Sequence, residues 1–205
     1  MKIGVLGGTF DPVHIGHIKL AEAVMSRLDL ACILFVPAGR PYLKMGQQIT
    51  PAEHRLAMVR LAVAGHTELK VATMEIDRPG PSYTVETIAD LKNGLHADDE
   101  IFFIMGWDIL AELPRWREPL RLIQMCRLVA VPRMGYPIPD THSMDEAIPG
   151  LSRRVMVLGK PVINISATVI RERVARGLSI RHLVPEAVDK YIKEHGLYQE
   201  VVGKT

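Results

Sequence analysis

Short apolar runs closed by glycine or proline alternate along this chain with segments whose apolar residues recur every three or four positions. Residues 2–6 form the first run, and Gly7-Gly8 ends it. A continuous apolar stretch bounded by turn residues predicts a buried strand. Residues 16–28 carry Ile18, Ala21, Val24, Met25 and Leu28 at helical spacing. Residues 31–36 repeat the strand pattern up to Pro37, and residues 38–50, with Gly39, Pro41 and Gly46, form a loop. Pro51 opens a helix whose predicted buried stripe is Leu56, Met58, Val59 and Ala62.

Residues 69–77 read as extended, and Arg78-Pro79-Gly80-Pro81 breaks them. A helix follows over 84–94, with Thr84 as its N-cap and Gly94 at its end. Residues 100–105 are a buried strand followed by Gly106, residues 107–124 a helix broken at Pro114, and residues 127–132 another strand. The Pro- and Gly-rich stretch 133–150 is a surface loop, and 153–158 and 161–165 are short extended pieces. Two helices finish the pattern, 167–177 and 185–195, the second with Pro185 near its first turn and Gly196 past its end. Strands buried on both faces that alternate with helices predict an α/β fold, a parallel sheet with helices on both faces. The expectation is a single domain over residues 1–205 with a small C-terminal helical portion from about 166 to 205. Ligands of such sheets bind beyond the carboxyl ends of the strands, so the segments that follow strands are where chemistry is expected.

Composition narrows the function classes. Hydrophobic residues are 48% of the 205, enough for a substantial core and too many for a disordered chain. Lys plus Arg is 25 against 23 for Asp plus Glu, so no basic bulk points to a nucleic-acid partner. Cys32 and Cys126 sit in apolar runs without CxxC spacing and read as small core residues in a reducing compartment. No run reaches the ~18 apolar residues of a membrane span, and the first apolar stretch is too short for a signal sequence. The expected location is cytoplasmic.

The loop after the first strand carries the densest chemistry: Gly7-Gly8-Thr9-Phe10-Asp11-Pro12-Val13-His14-Ile15-Gly16-His17. Two glycines let the backbone approach a ligand, and the helix start behind them offers free N–H groups and a positive dipole end that suit phosphate. His14 and His17, three apart, share a face there. Gly16 between them removes a Cβ that would hold a phosphate away. The glycine spacing does not fit the dinucleotide fingerprint G-x-G-x-x-G, and no third ligand nearby suggests a metal at the two histidines. Further on, Ile165-Ser166-Ala167-Thr168-Val169-Ile170-Arg171 also leaves a short strand and opens a helix. Ser166 is a suitable N-cap, and Thr168 and Arg171 point to one side, where the guanidinium suits a β- or γ-phosphate.

The first segment resembles the signature of the nucleotidylyltransferase superfamily, whose H-x-G-H reads His14-Ile15-Gly16-His17 here, and the second resembles its I-S-x-T-x-I-R signature. The resemblance implies a Rossmann-like doubly wound fold and an attack on the α-phosphate of ATP. It implies ATP contacts from Gly7, Gly8, Thr9, Phe10, His14, Gly16, His17, Ile165, Ser166, Thr168 and Arg171, with His14, His17 and Arg171 catalytic.

Three further segments bear on the acceptor. Ser82-Tyr83-Thr84 precedes a helix whose free amides suit a carboxylate, though an ordinary Pro-Gly turn and capped helix read the same way. Asp108, in Phe103-Ile104-Met105-Gly106-Trp107-Asp108, suits ribose hydroxyls or simply a helix start. Trp116, in Leu113-Pro114-Arg115-Trp116, suits an aromatic ring ligand or a place in the core. With G-G-T-F-D-P-x-H-x-G-H, R-P-G-P-S-Y-T, F-x-G-x-D, E-L-P-x-W and I-S-x-T-x-I-R in order, nearly the whole chain resembles the bacterial nicotinate mononucleotide adenylyltransferases. That resemblance implies an enzyme of NAD biosynthesis that joins ATP and nicotinate mononucleotide and releases pyrophosphate. Ser82, Tyr83, Thr84, Trp116 and Arg133 would then hold the mononucleotide, Gly106 and Asp108 the adenosine part, and Lys44 phosphate. Two departures stand out: Pro41-Tyr42-Leu43-Lys44 replaces the family's Pro-Pro-His-Lys, and Trp107 stands where many members have a small residue.

The attacking phosphate oxygen is already anionic, so catalysis is expected to rest on positioning and charge neutralisation. Magnesium is expected to arrive with ATP rather than in a protein cage. The partners expected are ATP and nicotinate mononucleotide, with no nucleic acid or membrane, and a homo-oligomer is compatible with the sequence. The rival readings are an adenylyltransferase with another phosphorylated acceptor (nicotinamide mononucleotide or phosphopantetheine) and a non-catalytic nucleotide sensor on the same fold.

Overall fold

The structure, a computed structural model, describes residues 1–41, 46 and 48–199. Six strands form one parallel sheet: β1 (Lys2–Gly8), β2 (Cys32–Pro37), β3 (Leu69–Val71), β4 (Glu100–Gly106), β5 (Arg127–Val131) and β6 (Val155–Val157). Their order is β3-β2-β1-β4-β5-β6. Ile3 pairs with Cys32 on one side and with Ile101 on the other, so β1 and β4 lie at the centre, where the direction of winding reverses.

Alternate side chains of the central strands enter two separate cores, as a period of two requires. Leu6, Phe102, Ile104, Val129 and Val131 point to one, and Val5, Ile101, Phe103, Met105, Leu128 and Ala130 to the other. The first core is closed by Ile18, Ala21 and Val24 of α1 (Ile15–Leu28) and by Met58, Val59 and Ala62 of α2 (Ala52–Val63). Ile170 of α7 (Ala167–Ala175) and Val188 and Ile192 of α8 (Glu186–Glu194) enter the same core. The short α3 (Met74–Asp77) follows β3. The second core is closed by Val85 and Ile88 of α4 (Thr84–Asn93), Leu110 of α5 (Trp107–Ala111), and Leu122 and Ile123 of α6 (Pro119–Met125). The fold is α/β, doubly wound and Rossmann-like, as the alternation of elements predicts.

Several boundaries differ from expectation. The extended stretch 69–77 is a strand only over Leu69–Val71, and Met74–Asp77 turn helical. Of 161–165, only Ile163 bridges, to Arg133. The helix expected over 107–124 breaks at Pro114 as expected and again before Pro119, giving α5, a 3-10 turn Leu113–Arg115 and α6, because each proline suits a first turn and not a helix interior. Tyr83, not Thr84, is the N-cap residue of α4, and Ser166 holds the N-cap position of α7 without a side-chain bond to the backbone. Cys126 is buried and Cys32 only half-buried.

The largest departure is in α2. Leu56 is half-buried, and Arg55, which reads as a solvent residue, is 1% exposed. Its guanidinium donates to four carbonyls: Thr50 at 2.8 Å, Thr9 at 2.9 Å, Ala38 at 2.7 Å and Gly39 at 3.1 Å. These belong to the loop after β1, the loop after β2 and the approach to α2. One buried charge thus satisfies four backbone carbonyls from three separate segments. Gly39 is required beside it, because a Cβ there would lie 2.1 Å from the Glu75 carbonyl oxygen.

Candidate active site

A cleft of about 590 Å³ lies over the carboxyl ends of β1, β4 and β5, at the point where strand order reverses. In a doubly wound sheet the loops diverge there and leave room for a ligand. Gly7, Gly8 and Thr9 from the end of β1, His14, Gly16 and His17 from the start of α1, and Gly106 and Asp108 after β4 line it. Ser82, Tyr83, Thr84, Trp116, Arg133 and Ile165 line it as well.

The two histidines are a stacked pair, ring centres 3.6 Å apart and planes 20° apart. His14 is extended (φ −143°, ψ 168°) at the N-cap of α1, and its N–H donates to His17 Nδ1 at 3.2 Å. An accepting Nδ1 carries no proton, so the hydrogen of a neutral His17 ring sits on Nε2. Burial, then the Arg133 charge, lower the His14 pKa to about 4. Burial, then His14 and Arg133, hold His17 well below its usual value. Both rings are therefore neutral donors at physiological pH. His14 Nδ1 is buried with no hydrogen-bond partner among the described residues. Gly16 has a packing reason not anticipated from its place in the loop: a Cβ would meet Ile163 Cγ2 at 2.6 Å and the His14 ring at 3.0 Å.

Phe10 is 3% exposed and lies beneath the loop, edge-on to His17 with centroids 5.0 Å apart. It supports the histidine from the core and is not on the cleft wall. Asp11, which has no role in the sequence reading, ties the neighbouring segments together. Its carboxylate accepts from the Tyr198 hydroxyl at 2.7 Å and from Thr50 N–H at 3.2 Å, and its carbonyl accepts from Arg171 Nη1 at 2.7 Å. Arg171 Nη2 also reaches Thr168 Oγ1 at 3.4 Å. The segment 165–171 is thus joined to the first loop, yet of its named residues only Ile165 reaches the cleft wall; Ser166, Thr168 and Arg171 stand outside it. Lys44 lies outside the described residues.

On the other side of the cleft, the Ser82 hydroxyl accepts from Gly39 N–H at 3.0 Å and Arg40 N–H at 3.3 Å, which holds the start of α4 against the loop after β2. Arg117, also on the wall, stands over the Tyr83 ring at 4.7 Å and pairs with Glu86 at 3.2 Å. Trp116 meets Phe103 edge-on, and its indole N–H is buried without a partner among the described residues. Asp108 turns back over Gly106, where a Cβ would sit 2.3 Å from its Oδ1, and its Oδ2 is 3.9 Å from Arg133 Nε. Trp107 packs against the second core and does not line the cleft. Among the described residues no group of three or more His, Cys, Asp or Glu is placed to hold a metal, and no helix is long and apolar enough to cross a membrane.

Comparisons with known proteins identify the family. The cytidylyltransferase-like family model matches residues 5–173. A protein of Dehalococcoides mccartyi named "Probable nicotinate-nucleotide adenylyltransferase" is 50% identical over 97% of each chain. A Roseiflexus protein of the same name is 47% identical over 96% of this chain and 98% of its own. A solved structure of a Plasmodium falciparum nicotinic acid mononucleotide adenylyltransferase complexed with NaAD superposes with a TM-score of 0.79 over 96% of this chain and 97% of that one. At 18% identity that likeness speaks for the fold. The chain belongs to the cytidylyltransferase-like family and, within it, to the nicotinate-nucleotide adenylyltransferases.

Proposed function

We propose that the chain transfers the adenylyl group of MgATP to nicotinate mononucleotide, giving nicotinate adenine dinucleotide and pyrophosphate. The observation that carries this reading is one cleft lined at one end by the paired imidazoles of α1 and at the other by the start of α4 with Trp116. The first set of groups suits a triphosphate and the second a ring bearing a carboxylate.

The adenosine part lies near Gly106 and Asp108, and the triphosphate on the amides of Gly7 to Thr9 with His14, Gly16 and His17. Ile165, with Ser166, Thr168, Arg171 and Lys44, completes the triphosphate's surroundings, while Phe10 acts from beneath. Arg133 faces the acceptor phosphate, which fits its charge reaching both histidines. The nicotinate ring stacks on Trp116, and its carboxylate takes the backbone amides of Tyr83 and Thr84 beside Ser82. An oxygen of the acceptor phosphate forms a new bond to the ATP α-phosphorus, the bond to the bridging oxygen breaks, and its electron pair leaves with pyrophosphate. No proton has to move. The neutral N–H groups of His14 and His17 donate to the phosphate oxygens as their charge grows, the kind of preorganised donation worth the most in a water-poor site. The whole chain serves as one domain, because α7 and α8 pack into the same core as α1 and α2.

Pyrophosphate release tests this directly. With MgATP, nicotinate mononucleotide is expected to release it at a kcat/KM at least about tenfold above that of nicotinamide mononucleotide, the factor that about 1.4 kcal/mol of carboxylate recognition produces. Equal use of acid and amide contradicts the assigned carboxylate site. No release with either contradicts the transfer reading and favours a nucleotide sensor.

A further inference from the structure

Glu75, on the cleft wall in α3, has no part in the reaction as written above. It is 8% exposed, and among the described residues its carboxyl forms no ion pair. Its neighbours are hydroxyls: Thr87 Oγ1 donates to Oε1 at 2.7 Å, and the Ser82 hydroxyl is close enough to favour the ionised form of the carboxyl. Ser82 belongs to the proposed carboxylate site, and Thr87 lines the same cleft. Ser82 already accepts two backbone N–H groups, from Gly39 and Arg40, so its single proton is free for Glu75. The single proton of Thr87 faces two acceptors, Glu75 Oε1 and the Tyr83 carbonyl at 3.3 Å. Thr87 Oγ1 thus stands between the Glu75 carboxyl and the Tyr83 carbonyl and links the two.

We propose that Glu75 is a positioning residue for acceptor specificity, which through Ser82 and Thr87 fixes the Tyr83–Thr84 peptide so that its amides take a carboxylate in preference to a carboxamide. This rests on the acceptor site assigned above. The surrounding charges fit it. Arg78, whose charge acts on the carboxyl, donates to Thr87 Oγ1 at 3.4 Å and is otherwise engaged by Asp90 and Glu86 of α4, while Arg117 is engaged by Glu86 and the Tyr83 ring. Burial raises the Glu75 carboxyl above the usual range, against the Thr87 and Ser82 hydrogen bonds and the Arg78 charge. Raised in this way, the carboxyl carries less negative charge beside an incoming carboxylate than an exposed one would.

The test compares kcat/KM for nicotinate and nicotinamide mononucleotide, with MgATP, in the full chain and in E75Q, E75A and T87V. Glutamine keeps a donor and an acceptor and cannot ionise, so E75Q is expected to hold the acid-to-amide ratio within about twofold of the unmodified protein. E75A and T87V are expected to lower the ratio about tenfold, the factor of one hydrogen bond to a charged group, through the KM for the acid and with the KM for ATP unchanged. Three results overturn the proposal: equal losses for acid and amide, an E75Q that behaves like E75A, or a ratio that E75A and T87V leave unmoved. If E75A does not fold, E75Q and T87V still decide the matter. An unmodified chain that does not discriminate refutes the acceptor site itself, whereas discrimination that survives E75A and T87V refutes only the role of Glu75.

Discussion

Replacing His17 with alanine is expected to lower kcat about 100- to 1,000-fold, the usual cost of one preorganised donor to a developing charge, with a change of only a few-fold in the KM for ATP. His14→Ala is expected to fall in the same range. The double variant should lose less than the product of the two, because the two rings stack on each other. The pH dependence follows from both rings being neutral. With His14 titrating near 4 and His17 well below its usual value, neither ring is expected to produce an acid limb near neutral pH in the free protein. The limb expected in kcat/KM belongs to the acceptor phosphate, whose second pKa is about 6. Activity falls as the pH drops through that value, because the dianion is the better nucleophile, and the limb stays in place in H14A and H17A. Steady-state kinetics of the three variants between pH 5 and 8 check this. A limb that disappears with either histidine would show that an imidazole acts by titrating.

The second large effect is on stability. Arg55→Ala removes the donors to four buried carbonyls and leaves a cavity under the two loops that shape the cleft. The expected loss is about 3–5 kcal/mol, in the range for breaking a buried charged pair. At roughly 2–4 °C per kcal/mol for a chain of this size, Tm falls by about 6–20 °C. Lysine keeps the charge but cannot reach four acceptors in a fan, so R55K is expected to recover only part of the loss. Burial pulls the Arg55 pKa down and the Asp11 charge pulls it back, so the carbonyl cage, more than a single ion pair, is what makes this position intolerant. Thermal denaturation of R55A and R55K measures it; a loss under about 1 kcal/mol would mean that the loops close without the guanidinium.

Why the sheet was legible and parts of the site were not follows from what each signal depends on. Strands buried on both faces must be apolar throughout, so β1, β2, β4 and β5 stand out in the sequence. The stretch 69–77 misled because Val71, Met74 and Ile76 suit a strand or a helix, and only packing against β2 decides between them. The glycines and histidines of the first loop were legible because their types and spacing already meet a chemical requirement. Arg55 and Glu75 were not. A charged residue reads as solvated, and what buries these two is a set of partners from distant segments: carbonyls of residues 9, 38 and 39 for Arg55, and Thr87, twelve residues on, for Glu75. Asp11 joins the same class, since its partner Tyr198 comes from the far end of the described chain.

The account stands most directly on whether the acceptor ring reaches Trp116. Trp107 and Trp116 are the chain's two tryptophans, and Trp107 does not line the cleft. In W107F the remaining indole fluorescence therefore reports Trp116 alone. Nicotinate mononucleotide is expected to quench it saturably, with nicotinamide mononucleotide at least about tenfold weaker. An indole that responds to neither nucleotide, in a protein that still turns over, would contradict the placement of the acceptor in this cleft.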